Sequence, residues 1–372
     1  MKLVKNEPGY MVQLDGLRAI AVAIVVLFHW TPEVKQTGLG GLGVQLFFLL
    51  SGYLITGILL TACQTAENTG ASKTQIVKSF YARRFLRIFP LYYLVIGLAL
   101  LLGSVNILHY LPWHLSYLTN VAIFKEQQWI GEASHLWSLA VEEQFYLLWP
   151  FVILYTPKRY LSATVIGFIL MAPVFKLTCT YLEVGGNRIG VLPVSSFHYL
   201  GSGALLAILE RSPKFLQDAV FRVKAAQSIK LAGIVGLVVF AMFRLFPEVF
   251  PVSPLISVVQ EFALICLFLN LTMGAAYGFK GTAGAILSSK PMVYLGQISY
   301  GLYLLHNFIP YFMEKLLQQT GGKLTTAQEL LLHGTILISL SALSWHFFES
   351  RLNKYKKLFP YIKARKQAAV MR

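Results

Sequence analysis

Apolar runs of about twenty residues recur along the whole chain, and they constrain its fold more than any other feature. They fall at 14–30, 40–62, 88–106, 136–156, 160–177, 194–210, 230–246, 254–276, 291–313 and 327–348. About 20 apolar residues carry a helix across the hydrocarbon of a bilayer. In that medium only helices and closed barrels satisfy every backbone polar group. Composition agrees: 56% of the 372 residues are hydrophobic, 13% are charged, and mean hydropathy is +0.61. A soluble domain carries about a quarter charged residues. Disorder and collagen-like repeats are excluded by the same counts. The expected fold is all-α: a polytopic membrane protein of about ten transmembrane helices. The expected division is a membrane-embedded domain over 1–350 and a basic tail over 351–372.

Charge gives an orientation. Lys plus Arg number 32 against 16 acidic residues, for a net charge of +16. In a soluble protein this would suggest nucleic acid. In a membrane protein, basic residues hold loops on the cytoplasmic side and meet anionic lipid, so no nucleic-acid partner is expected. With Lys2 and Lys5 inside, the segment 63–87 is also inside, with Lys73, Lys78, Arg83, Arg84 and Arg87. So are Lys158 and Arg159, the cluster from Arg211 to Lys230, Lys280 and Lys290, and the tail from Arg351 to Arg372. The outer loops carry few cations, among them Lys35, Lys125, Arg188 and Lys323. Both termini are therefore expected to be cytoplasmic. The shorter stretch 112–124, with Pro112, His114 and Asn120, reads as a re-entrant or interfacial piece. The basic stretch 72–87 has an amphipathic look and suits the inner membrane surface. Cys63, Cys179 and Cys266 are far apart, which predicts neither a disulfide framework nor a metal site. The first run contains Asp15 and Arg18 and lacks a cleavage site, so it reads as a retained span and not a signal peptide.

Ionisable groups inside spans are costly, and each is a functional candidate. In the first span Arg18 and His29 are eleven residues apart, so they share a helix face about 16 Å apart along the axis. They fit a functional pair, or an arginine that snorkels and a histidine at the opposite interface. In the fourth span His135, Ser138, Glu142 and Trp149 form one stripe, with Glu143 beside it. Glu142 either bonds neighbouring helices or meets His29 at similar depth. His306 and Asn307 in the ninth span suit either helix packing or a site. The second span carries Gln45, Ser51, Tyr53 and several glycines, which suits close helix packing. Arg84 and Arg87 stand one turn apart, as a membrane anchor or as a forked clamp for phosphate.

Together these segments resemble the acyltransferase-3 family of integral-membrane acyltransferases. The matching features are Arg18-x10-His29, FFLLSGYLI at 47–55, Arg84-x-x-Arg87 before Ile88 and Pro90, HLWSLAVEEQFYLLWP at 135–150, and ISYGLYLLH at 298–306. They occur in the family's order and cover residues 11 to 350. The resemblance implies O-acyl transfer, often of acetyl, from cytoplasmic acyl-CoA to a hydroxyl of a carbohydrate or lipid-linked glycan. It implies acyl-CoA as cosubstrate, with no tightly bound cofactor, and a bacterial cytoplasmic (inner) membrane as the address. Some relatives carry a fused SGNH-type esterase-like domain. This chain shows none, so a separate extracytoplasmic acyl-accepting protein is the expected partner if one exists.

On this reading Arg84, Arg87 and Arg18 hold the phosphate-rich head, and the thioester lies one pantetheine arm deeper, at His29. His29 serves as general base, with an ordinary pKa near neutrality. Glu142 is expected to orient the imidazole. Ser138, His135, Tyr53 and His306 support the site or bind substrate. An acyl-histidine intermediate is a competing mechanism. A transporter or glycan flippase without acyl chemistry is the competing class.

Overall fold

The computed structural model describes residues 10–37, 39–251 and 253–362. Lys2, Lys5 and the basic positions from Lys363 to Arg372, used above to orient the chain, lie outside the described residues. Every regular element among the described residues is helical. The principal helices are α1 (Val12–Trp30), α2 (Gly41–Thr69), α3 (Lys73–Leu101), α4 (Leu136–Tyr155), α5 (Lys158–Tyr181), α6 (Phe197–Glu210), α7 (Ala219–Leu245) and α8 (Pro254–Tyr277). They continue with α9 (Lys290–Gln297), α10 (Ser299–Leu305), α11 (Phe308–Thr320) and α12 (Thr326–Ser344).

Local chemistry sets many of these boundaries. Gly70, at φ 69°, ends α2 in the left-handed conformation that glycine adopts at no steric cost. Two residues later the Ser72 hydroxyl accepts from the Thr74 N–H and starts α3. The Asp218 carboxylate caps α7 through the Phe221 N–H at 2.9 Å. Ser253 caps α8, with Pro254 at its first position. Thr325 and Gln328 form a reciprocal capping box at α12.

Among the described residues, seven helices are long and apolar enough to cross a membrane: α1, α2, α3, α5, α7, α8 and the continuous segment Thr326–Leu358. The other three expected spans behave differently. The α4 helix has 20 residues, but its Glu142-Glu143-Gln144 run lowers its apolar character. The α6 helix has 14 residues and follows two 3-10 turns. The run expected as one span over 291–313 is broken into α9, α10 and α11. Close packing accompanies the first break: a Cβ at Gly296 would lie 2.0 Å from the Asp15 carbonyl oxygen of α1. The basic stretch 72–87 is also not a separate surface helix. It is the first half of the unbroken α3, anchored by Ile76 and Phe80, both fully buried. The stretch 112–124 does not form a span; the segment between α3 and α4 holds three short helices at 105–109, 111–115 and 119–126.

The centre of the bundle is the pair α2–α6. A Cβ at Gly52 would lie 1.9 Å from the Leu200 carbonyl oxygen, and one at Gly203 would lie 1.9 Å from that of Leu49. The two backbones therefore touch, as small residues permit. Trp149 of α4 closes on the same helix, donating from Nε1 to Thr56 Oγ1 at 2.7 Å with both groups fully buried. By contrast, α7 buries only Gly233 and Gly236 and exposes Leu231, Ile234, Val235, Leu237 and Val238. Such a continuous apolar wall suits hydrocarbon and not water. At the other edge, residues 355–362 fold back on α3: Arg83 donates to the Lys356 carbonyl at 3.0 Å, and Ser79 donates to that of Pro360 at 2.8 Å.

Candidate active site

Three arginines converge on one cavity of about 150 Å³. Arg18 comes from α1; Arg84 and Arg87 come from successive turns of α3. The wall is completed by Ser51 and Phe48 of α2, Ser138, Glu142 and Tyr146 of α4, and Ser299, Tyr300 and Tyr303 of α10. Each guanidinium has a fixed seat. Arg84 lies 5.4 Å over the Tyr146 ring and 5.7 Å over Phe80. Arg87 lies 5.3 Å over Trp345 and 3.8 Å from Glu349 Oε2. Arg18 lies 3.6 Å from Asp15 Oδ1. Both carboxylate contacts are longer than a hydrogen bond, so they hold the arginines without consuming their donors. Glu349 and Trp345 went unrecognised in the sequence. A π-helical turn over Trp345–Glu349 brings both onto Arg87.

Glu142 belongs to this cavity. Its Oε1 accepts from Ser51 Oγ at 2.5 Å, and Ser51 in turn accepts from the Tyr146 hydroxyl at 2.9 Å. The expected contact between Glu142 and His29 is therefore replaced by a different one. His29 Nδ1 lies 2.8 Å from the Val25 carbonyl oxygen, one turn back on α1. A carbonyl can only accept, so Nδ1 carries the proton and the Nε2 lone pair is left open. The reason is depth. His135, at the very start of α4, is level with the histidine end of α1, while Glu142 is seven residues further on, about 10 Å along the axis.

At that end the three imidazoles His29, His306 and His135 stand in series. Ring centroids are 4.8 Å apart for His29 and His306, and 4.7 Å apart for His306 and His135. His306 and His135 are buried, while His29 is exposed. His306 Nδ1 donates to the Tyr303 carbonyl at 2.5 Å, and Trp30 Nε1 donates to the His306 carbonyl at 2.8 Å. His135 Nε2 lies 3.0 Å from the Leu304 carbonyl oxygen, and its Nδ1 lies 3.3 Å from the Asn307 amide nitrogen. His135 Nδ1 also lies 3.0 Å from the Glu132 carbonyl oxygen, so both ring nitrogens face carbonyl acceptors and a neutral tautomer can donate to only one of them.

Ser138 and Tyr303 join the two regions. Their hydroxyls are hydrogen-bonded to each other, and Tyr303 donates to the His135 carbonyl at 3.0 Å. Both side chains line the arginine cavity, and the Tyr303 ring lies 5.4 Å from that of His306. The continuous α1 then spans from Arg18 at the cavity to His29 beyond it. Of the residues expected from sequence, Arg18, Arg84, Arg87, Glu142 and Ser138 meet at the cavity, and His29, His135 and His306 meet at the far end. Tyr53 joins neither. Its hydroxyl donates to Glu210 Oε2 at 2.7 Å on another face of α2. Ser51 and Tyr53 are two residues apart, about 200° around a helix, so they cannot serve one site.

A family model described as an acyltransferase domain matches residues 11–346. The chain is 29% identical over 375 residues to the peptidoglycan O-acetyltransferase OatA of Listeria monocytogenes, covering 93% of this chain and 56% of that protein. It is 28% identical over 371 residues to the O-acetyltransferase OatA of Staphylococcus aureus, covering 94% and 58% respectively. The chain thus spans a little over half the length of these curated relatives. No solved structure matches it.

Proposed function

The chain belongs to the acyltransferase family whose model it matches, and from that premise we propose that it is a membrane O-acyltransferase. It transfers an acetyl group from acetyl-CoA to a hydroxyl of a carbohydrate or lipid-linked glycan. The observation that carries this reading is the junction at Ser138 and Tyr303, where a cavity ringed by three guanidinium groups abuts the end of the bundle that holds His29. Fixed arginines suit a phosphate-rich donor, and an imidazole with one open nitrogen suits proton transfer.

Arg18, Arg84 and Arg87 bind the phosphates of acyl-CoA at the cavity mouth. The pantetheine arm runs along α1 for the rise of about 16 Å that separates Arg18 from His29. His29 Nε2 takes the proton of the acceptor hydroxyl as that oxygen attacks the thioester carbon. The carbon–sulfur bond breaks, and the CoA thiolate leaves and recovers the proton from the imidazolium. The Val25 carbonyl holds the His29 tautomer, the task first expected of Glu142. Glu142, bonded to Ser51, instead balances charge among the arginines.

The protein on this reading is a single membrane-embedded domain over 1–350 with a basic segment after it. Both termini face the cytoplasm, and the address is a bacterial cytoplasmic membrane. The experiment is acetyl-CoA binding by the full chain in nanodiscs. Wild type should bind, Arg84→Gln/Arg87→Gln should bind about a hundredfold more weakly, and His29→Ala should bind as wild type does. A wild-type protein that binds no acyl-CoA would falsify the donor assignment and bring the transporter or flippase class forward.

A further inference from the structure

A second cavity, of about 280 Å³, stands back to back with the first. The two share Val44 and Phe48 of α2 as a common wall. The second cavity opens at the end of α2 that carries Gly41 and Gln45, and it reaches Trp137, two residues beyond His135. It is therefore on the histidine side of the molecule. Nothing in the arginine cavity or the histidine series uses it.

Its lining is of two kinds. Two indoles, Trp129 and Trp137, contribute flat apolar faces, and Trp137 is steadied edge-on by Phe48 at 6.1 Å. Between them stand polar atoms without partners: the Gln45 Oε1 acceptor, the Arg188 Nε donor and the Tyr199 hydroxyl, which can do either. Tyr199 is only 2% exposed, so its hydroxyl has no other outlet. Leaving such groups dry and unpaired is costly, and an apolar ligand would seal in that cost. A simple anion fits no better, because the Glu261 carboxylate is fixed in the same wall. Lys176 Nζ holds it at 2.5 Å and His198 Nε2 lies 3.2 Å away. A ligand that stacks an apolar face on indole and offers hydroxyls as both donors and acceptors at its edge satisfies the whole set. That chemistry is a saccharide ring.

We infer that this cavity is a saccharide-binding site, with Trp129 and Arg188 as its principal contacts and Tyr199 buried at its wall. Arg188 lies 4.5 Å over the Trp129 ring, so the guanidinium stiffens the platform while its Nε remains free for a sugar oxygen. The assignment of the bound saccharide as the acyl acceptor rests on the proposed O-acyl transfer; the binding itself does not. Donor and acceptor would then approach from opposite sides of the Val44–Phe48 wall and meet near the histidines.

The test is equilibrium dialysis of the full chain in nanodiscs against radiolabelled chitotriose, cellotriose and maltotriose, with acetyl-CoA binding measured on the same samples. At least one trisaccharide should bind saturably. Trp129→Ala and Arg188→Gln should each weaken it about tenfold, and Tyr199→Phe by a smaller factor. Trp129→Phe should retain most of the affinity, which separates a lost platform from a misfolded protein. Arg84→Gln/Arg87→Gln should leave saccharide binding unchanged. Saturable saccharide binding without acetyl-CoA binding removes the donor reading and keeps this site. Failure of all three sugars to bind, or binding within twofold of wild type in both Trp129→Ala and Arg188→Gln, overturns the inference.

Discussion

The two ends of the bundle solve opposite electrostatic problems with the same few helices. At one end three guanidinium groups surround a cavity, held by aromatic faces and by carboxylates at 3.6 and 3.8 Å. At the other, three imidazoles sit against backbone carbonyls, and no carboxylate is hydrogen-bonded to them among the described residues. Permanent charge suits binding, because it attracts phosphate without changing state. A neutral imidazole with an open nitrogen suits proton transfer, because it must change state. One helix, α1, carries a residue of each kind. On the proposed function, holding the donor and acting on it are separated by about 16 Å of helix.

Substitutions at each end should break this division in different ways. The largest effect is expected at His29. His29→Ala should lower kcat by about 10² to 10⁴-fold with acetyl-CoA affinity unchanged, as loss of a general base does. Replacing the clamp, in Arg84→Gln/Arg87→Gln, should raise KM for acetyl-CoA by about 10 to 100-fold and largely spare kcat. It should also flatten the dependence of KM on ionic strength, measured between low and physiological salt. The centre of the bundle depends on α2 and α6 touching. Gly52→Ala should cost about 1–3 kcal/mol in thermal stability, because its Cβ would meet the Leu200 carbonyl. Gly97→Ala, with nothing within 4 Å of the new Cβ, should be neutral or slightly stabilising. Among the site residues the smallest effect is expected at Glu142. Glu142→Gln keeps the acceptor for Ser51, so it should change kcat by less than about tenfold and act mainly through acetyl-CoA affinity. A loss of kcat as large as that of His29→Ala would restore the carboxylate–histidine pairing that the geometry replaces.

The sequence was most legible where a feature stays within one helix. Arg18 and His29 share an unbroken α1, so their spacing survives folding intact. Arg84 and Arg87 likewise share a face of α3. The apolar runs show where helices form, because length and hydropathy are local quantities. Relations between helices were less legible. Glu142 and His29 looked level because the start of α4 is legible in the sequence but its depth against α1 is not: His135, at that start, already occupies the level of His29. The break after Gln297 accompanies Gly296 packing on the Asp15 carbonyl, a contact between distant segments. Glu349 escaped notice because it follows the last apolar run, and only a π-helical turn brings it to Arg87. Tyr53, expected to support the site, instead bonds Glu210, because two residues along a helix turn it about 200° from Ser51.

The central claim is that binding and chemistry reside at opposite ends of α1. Steady-state CoA release tests it most directly, with acetyl-CoA titrated at saturating saccharide acceptor for wild type, His29→Ala and Arg84→Gln/Arg87→Gln. A fall in kcat alone for the histidine variant, with a rise in KM alone for the arginine variant, is the predicted result. If His29→Ala turns over as wild type does, or if both variants change the same constant, the division is wrong.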